Sequence, residues 1–291
     1  MGYGEAVAYG AGTIINAIAT GKGAAFGVDL WTKARVRLTD KIGDIEGKIL
    51  SEPSEDTRLI KEVVRSVFEY FKVENEFGAY IETESNIPIA KGLKSSSVAA
   101  NALVLATSAA LGKTLKDTNA INLSIDGALR AKTTITGAFD DTCASFFGNI
   151  VVTDNLQRKI LRFFNVAEDL AVLFHIPPEK SYTYTSNVNR MKLIAPQVKV
   201  AFQEALSGNY WTALTLNGLL YSAALGYDSR PTISALEAGA LASGLSGKGP
   251  ATVAITKTDV ASKIVDSWRV YSGDIIKAGI NKEKSKITRK E

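Results

Sequence analysis

The segment Pro88-Ile-Ala-Lys-Gly-Leu-Lys-Ser-Ser-Ser97 runs directly into Val98-Ala-Ala-Asn-Ala-Leu-Val-Leu105, so a glycine- and serine-rich loop opens into an apolar helix. No other stretch says as much about what the chain can build. The first N–H groups of a helix have no partner within it, and the helix dipole adds partial positive charge there. Such an end attracts phosphate. Ser95, Ser96 and Ser97 are suited to cap the helix, and one hydroxyl can reach a metal ion riding on the phosphates. Lys91 and Lys94 add positive charge. The same residues also suit an ordinary capped helix after a surface loop, and this segment alone leaves both readings open.

Other nucleotide-binding patterns are missing. A Walker loop needs a Gly, four residues, then Gly-Lys-Ser/Thr. Gly112-Lys113-Thr114 has Thr107 where the first Gly belongs, and both Gly21-Lys22 and Gly247-Lys248 are followed by Gly, which has no hydroxyl. No GxGxxG follows a strand and opens a helix.

His175 is the only histidine and Cys143 the only cysteine. A histidine-based metal site and a Ser-His-Asp triad are thereby excluded, and catalysis falls to carboxylates, lysines and bound metal. A lone cysteine allows no internal disulfide and suits a reducing compartment. The net charge of +4 fits a small anionic ligand but is too small and dispersed for nucleic acid. No run of eighteen apolar residues suggests a membrane span. The N-terminus has no basic-then-apolar leader, so a cytoplasmic protein is expected. Lys282–Glu291 reads as a solvated, frayed tail.

Strands are expected at 5–10 and 13–18, separated by Gly10-Ala-Gly12. Residues 28–39 alternate, with Val28, Leu30, Thr32, Ala34, Val36 and Leu38 on one face. A helix over 55–72 with Ser54 as cap, and a strand at 77–84, precede the serine-led helix, which Gly112 ends. A helix at 117–131, a hairpin at 149–154 and 158–164, and a buried strand at 169–176 follow. Helices near 188–206, 209–225 and 231–242, a strand at 251–256, a helix at 259–271 and a strand near 273–278 complete the reading. Without regular βαβ alternation the class is α+β. The division falls near 155, giving domains of 1–155 and 156–291.

Three further segments stand out. Gly244-Leu-Ser-Gly-Lys-Gly-Pro-Ala-Thr252 is a glycine-rich turn in which Gly247 and Gly249 allow close approach to another loop or an anion. Within Thr136–Gly148, Asp140 and Asp141 are adjacent acids amid small and apolar residues, suited to a cation, proton exchange or a capped turn. Gly10–Ala25 offers Asn16, Thr20 and Lys22 as polar handles.

Together these pieces resemble the galactokinase–homoserine kinase–mevalonate kinase–phosphomevalonate kinase (GHMP) family. Its phosphate loop, roughly Pro-x-x-x-Gly-Leu-Gly-Ser-Ser, is matched by Pro88, Gly92, Leu93, Ser95 and Ser96, with Lys94 replacing the third Gly. Its third motif is matched by Ser246-Gly247-Lys248-Gly249-Pro250, and its Asp seven residues before a Gly by Asp141 and Gly148. The resemblance covers nearly the whole chain. It implies a domain like domain 2 of ribosomal protein S5, then a ferredoxin-like domain. Within the family the chain is most similar to the archaeal-type shikimate kinase branch. That likeness rests on Gly4–Ala6, Gly12–Gly23, Thr136–Asp141, Val152–Asn155, Leu216–Leu220 and Ala224–Asp228.

The resemblance implies ATP and Mg²⁺ as cofactors and shikimate as acceptor, with homoserine or another alcohol as the alternative. It implies a nucleotide cradle of Pro88, Lys91, Gly92, Leu93, Lys94, Ser95, Ser96 and Ser97, closed by Gly247 and Gly249. Ser96 and Asp126 are the implied magnesium ligands, and Asp141, with Asp140 as substitute, the implied base. For shikimate, Lys22 and Arg190 are candidates for its carboxylate, and Asn16, Thr20, Ser186 and Asn217 for its hydroxyls. Neither nucleic acid nor membrane is expected as a partner, and a monomer and a homodimer remain open.

Overall fold

The computed structural model describes residues 2–178 and 187–291. Strand β1 (Tyr3–Ile15) pairs antiparallel along its length with β2 (Lys22–Thr39). β1 is continuous where a break was expected at Gly10–Gly12. Gly12 serves packing: a β-carbon there would lie 2.3 Å from the Phe26 ring. The alternating face of β2 is buried as its pattern predicts, with Ala34 and Val36 fully enclosed.

The two halves of β2 take different partners on its other edge. Thr32–Thr39 pairs with β4 (Gly78–Ser85), which pairs in parallel with β3 (Ile45–Ile49). Lys22–Phe26 pairs with β5 (Ile150–Asp154), which continues into β6 (Lys159–Phe164). Helices α1 (Arg58–Phe71), α2 (Ser95–Ala110) and α4 (Phe139–Phe147) pack on this sheet, and α3 (Asp117–Arg130) packs against all three of them. The N-cap of α1 is Thr57, and Asp56 Oδ1 accepts from the Arg58 N–H at 2.8 Å, so Ser54 does not cap the helix. α2 is lined by Ala, Val and Leu and lies against β1, which suits its nearly complete burial.

The second sheet starts with β7 (Leu170–Ile176). Helices α5 (Val188–Leu193) and α6 (Ala195–Leu206) take the place of one expected helix, which breaks at Ile194 just before Pro196. Next come α7 (Tyr210–Leu225), α8 (Arg230–Glu237), β8 (Ala242–Leu245), β9 (Thr252–Lys257), α9 (Ala261–Trp268) and β10 (Asp274–Gly279). The strand order is β10-β7-β9-β8, all antiparallel. With helices after its first and third strands, this unit is ferredoxin-like. His175 is buried in it, 5.8 Å from the Trp268 ring, and burial lowers its pKa.

The C-terminal tail corrects an expectation. It is not frayed: β11 (Lys286–Lys290) pairs antiparallel with β1, setting Gly4 opposite Lys290. The edge of β1 would otherwise present a row of unpaired backbone groups. The first sheet therefore reaches past 155, to β6 and the tail, and one hydrophobic core runs through both units.

Candidate active site

The loop between β4 and α2 turns through three residues of positive φ, Ala90, Gly92 and Lys94. Lys94 is the N-cap of α2, and no side chain caps the helix. Ser95, Ser96 and Ser97 thus form its first turn rather than its cap. The glycine turn between β8 and β9 buttresses the loop. Ser246 Oγ donates to Gly92 O at 2.9 Å, and a β-carbon on Gly92 would meet Ser246 O at 2.6 Å. Asn16 secures the turn from the other side: its Nδ2 donates to Gly247 O at 2.9 Å, while its backbone N–H donates to Asn217 Oδ1 at 3.1 Å.

Opposite the serines stands the first turn of α4, which carries Asp140 and Asp141. Acids there are favoured by the helix dipole. Asp141 Oδ2 lies 3.1 Å from Lys94 Nζ, and the side chains are only 10 % and 14 % exposed, so this is an internal ion pair. Among the described residues, the buried Asp141 Oδ1 has no hydrogen-bond partner. Asp140 Oδ1 accepts from Asn155 Nδ2 at 2.8 Å, and Asn155 Oδ1 accepts from Thr153 Oγ1 at 2.7 Å. Its other oxygen packs on Gly23, where a β-carbon would lie 2.3 Å away. Burial, and then the charge of Asp141, push Asp140 up to about 7. Neighbouring acids whose environments differ this way can take different proton-handling parts.

These elements line a cleft that is open to solvent. Gly92, Lys94, Ser95, Ser96, Ser97, Asp140, Asp141, Gly249 and Asn16 all line it. So do Lys248, Ala17 and Ile18, each within a motif of the resemblance, and the Thr133–Thr136 loop, of which only Thr136 falls within one. The threonine run just ahead of the acid pair was the available signal.

Other predicted residues lie elsewhere. Leu93 is buried in the core, and neither Pro88 nor Gly247 lines the cleft. Lys91 Nζ donates to Pro177 O and Pro178 O at 2.7 and 2.6 Å. Thr20 and Lys22 line a separate depression with Lys199 and Phe202, and the Lys22 ammonium sits 5.7 Å from the Phe202 ring. Arg190 is exposed on α5, and Asn217 is spent on holding Asn16. Ser186 lies outside the described residues.

The resemblance implies Asp126 as a magnesium ligand beside Ser96. It is not on the cleft; Arg158 Nη2 holds its Oδ1 at 2.7 Å. Magnesium takes oxygen donors and keeps waters. The hydroxyls of Ser95, Ser96 and Ser97, which line the cleft, are donors of that kind, so the residues present fit the ion. No cluster of three or more His, Cys, Asp or Glu able to hold a metal occurs among the described residues.

The chain matches known proteins in sequence and in fold. Residues 58–149 match the GHMP kinases N terminal domain. A shikimate kinase of Methanosarcina mazei is 46 % identical over 280 residues, 96 % of this chain and 94 % of that protein. One from Pyrococcus furiosus is 43 % identical over 266 residues, 91 % of this chain and 94 % of that protein. Among solved structures, the Methanococcus jannaschii mevalonate kinase superposes with a TM-score of 0.77 at 15 % identity, covering 95 % of this chain and 98 % of that one. The homoserine kinase of Cytophaga hutchinsonii gives 0.75 at 18 %, covering 98 % and 97 %. The chain belongs to the GHMP kinase family, on the branch that holds these archaeal shikimate kinases.

Proposed function

We propose that this protein transfers the γ-phosphoryl group of ATP to the 3-hydroxyl of shikimate, giving shikimate 3-phosphate and ADP. The observation that carries the chemistry is one cleft in which the N-terminus of α2 faces an ion-paired carboxylate. The relatives' shared name supports shikimate as the acceptor.

Phosphoryl transfer needs positioning, charge neutralisation and an acceptor for the hydroxyl proton. The backbone from Gly92 to Ser97 holds the nucleotide phosphates at the helix end. Ser96 is the residue that would hold a magnesium ion. When bound, magnesium supplies positive charge between the phosphates.

Asp141 is the base. Lys94 fixes one of its oxygens and leaves Oδ1 for the acceptor's O–H. As that proton passes to Oδ1, the acceptor oxygen bonds to the γ-phosphorus and the bond to the bridging oxygen breaks, releasing ADP. Burial pushes Asp140 up to about 7, so in the protonated form that grows as pH falls below neutrality it spares Asp141 a second negative charge beside it.

Incubation with Mg²⁺-ATP and shikimate, read by phosphorus NMR, tests the proposal. A single monoester resonance coupled to the ring proton at carbon 3 is expected. A phosphate on another hydroxyl, or ADP formed with no phosphorylated shikimate, contradicts it.

A further inference from the structure

Lys248 has no role in the mechanism above, yet it lines the same cleft as Ser95, Ser96 and Asp141. It sits at the apex of the β8–β9 turn, between Gly247 and Gly249, both at positive φ. The turn is a firm support. Asn16 holds Gly247 O at 2.9 Å, the Gly249 N–H donates to Ser246 O at 2.9 Å, and Ser246 Oγ grips Gly92 O of the phosphate loop.

Resting on the kinase reading, we propose that Lys248 is a catalytic residue whose ammonium binds the γ-phosphoryl group of ATP while it passes to the acceptor. In such transfers negative charge spreads over the three equatorial phosphoryl oxygens, and a fixed cation beside them lowers the barrier. The phosphorus–bridging-oxygen bond breaks with its electron pair going to ADP, the new bond forms to the acceptor oxygen, and the hydroxyl proton goes to Asp141. Lys248 keeps its own protons throughout. Burial, and then the charge of Lys94, bring its ammonium down to about 8, and an arriving phosphate favours the charged form.

The test compares wild type, Lys248→Met and Lys248→Arg as full chains. It uses steady-state kinetics and calorimetric Kd values for ADP and for a non-hydrolysable ATP analogue. Lys248→Met is expected to lower kcat by about 10²–10³-fold. It should weaken the ATP analogue by about tenfold while leaving the Kd for ADP and the KM for shikimate unchanged, and the Arg variant should recover part of both losses. A raised KM for shikimate with kcat retained would assign Lys248 to the acceptor's carboxylate and overturn the proposal. Equal weakening of ADP and the analogue, or no change at all, overturns it too. If wild type fails to use shikimate, the acceptor assignment falls, but the comparison of ADP with the ATP analogue still judges Lys248.

Discussion

Lys94 Nζ reaches to 3.1 Å from Asp141 Oδ2 across Gly247, whose missing side chain leaves the space: a β-carbon there would lie 2.6 Å from the ammonium. A residue of the phosphate loop, the acid of α4 and a glycine from the second sheet are thus fitted to one another. The third motif therefore bears on the base as well as on the loop.

Asp141→Asn is expected to lower kcat by about 10²–10⁴-fold, the usual worth of a general base, with the KM for ATP little changed. Lys94→Met leaves a buried carboxylate without its counter-charge, which typically costs about 3–5 kcal/mol. The double variant should unfold at higher denaturant than Lys94→Met alone, because the orphaned charge is gone. Additive losses in a urea-melt cycle would mean that the two side chains do not act as a pair.

Gly247→Ala places a methyl group where Lys94 passes, at a φ of +61°. A kcat loss of at least about tenfold is expected through displacement of the ion pair. Gly112→Ala is the control: its φ is +66°, but nothing lies within 4 Å of an added β-carbon. The control shares the backbone strain and should keep wild-type kcat. Equal activity in the two variants would break the link between Gly247 and Lys94.

Asp140 has a folded pKa of about 7, far above the ordinary carboxylate value of 3.8. Between those values the folded state binds more protons than the unfolded state. Its contribution to stability is therefore present at low pH and is lost as pH rises toward 7 and beyond. Asp140→Asn removes that loss, so its melting temperature should gain on wild type by several degrees more at pH 8 than at pH 5. A gap between the two melting curves that stays constant with pH would show that Asp140 is not the buried titrating group.

Deleting residues 286–291 removes β11 and uncovers the edge of β1. A clear fall in melting temperature is expected, with kcat retained, because none of those residues lines the cleft. An unchanged melting temperature would mean that the tail contributes nothing to the sheet.

The legible parts of the sequence were those whose chemistry is local. The serine-led start of α2, the adjacent acids and the glycine turn each announced themselves within a dozen residues, as did the inward face of β2. What stayed hidden depends on contacts between distant segments. Gly12 looks like a turn residue but is small because Phe26 lies over it. The tail is charged and exposed like a frayed end, and only the open edge of β1 makes it a strand. Asp126 sits on the expected helix, and Arg158, from the β5–β6 turn, holds it in an ion pair away from the cleft. Thr20 and Lys22 follow Asn16 closely in sequence, yet they lie in the turn out of β1 and at the start of β2, on a different depression. Lys248 could be seen in its turn, but the cleft it enters is built from both units.

The most direct test of the account is ADP release with Mg²⁺-ATP, measured in parallel on shikimate, homoserine and mevalonate. Turnover on shikimate, with homoserine and mevalonate near background, is the predicted result. Turnover on homoserine or mevalonate in its place, or on none of the three, would contradict it.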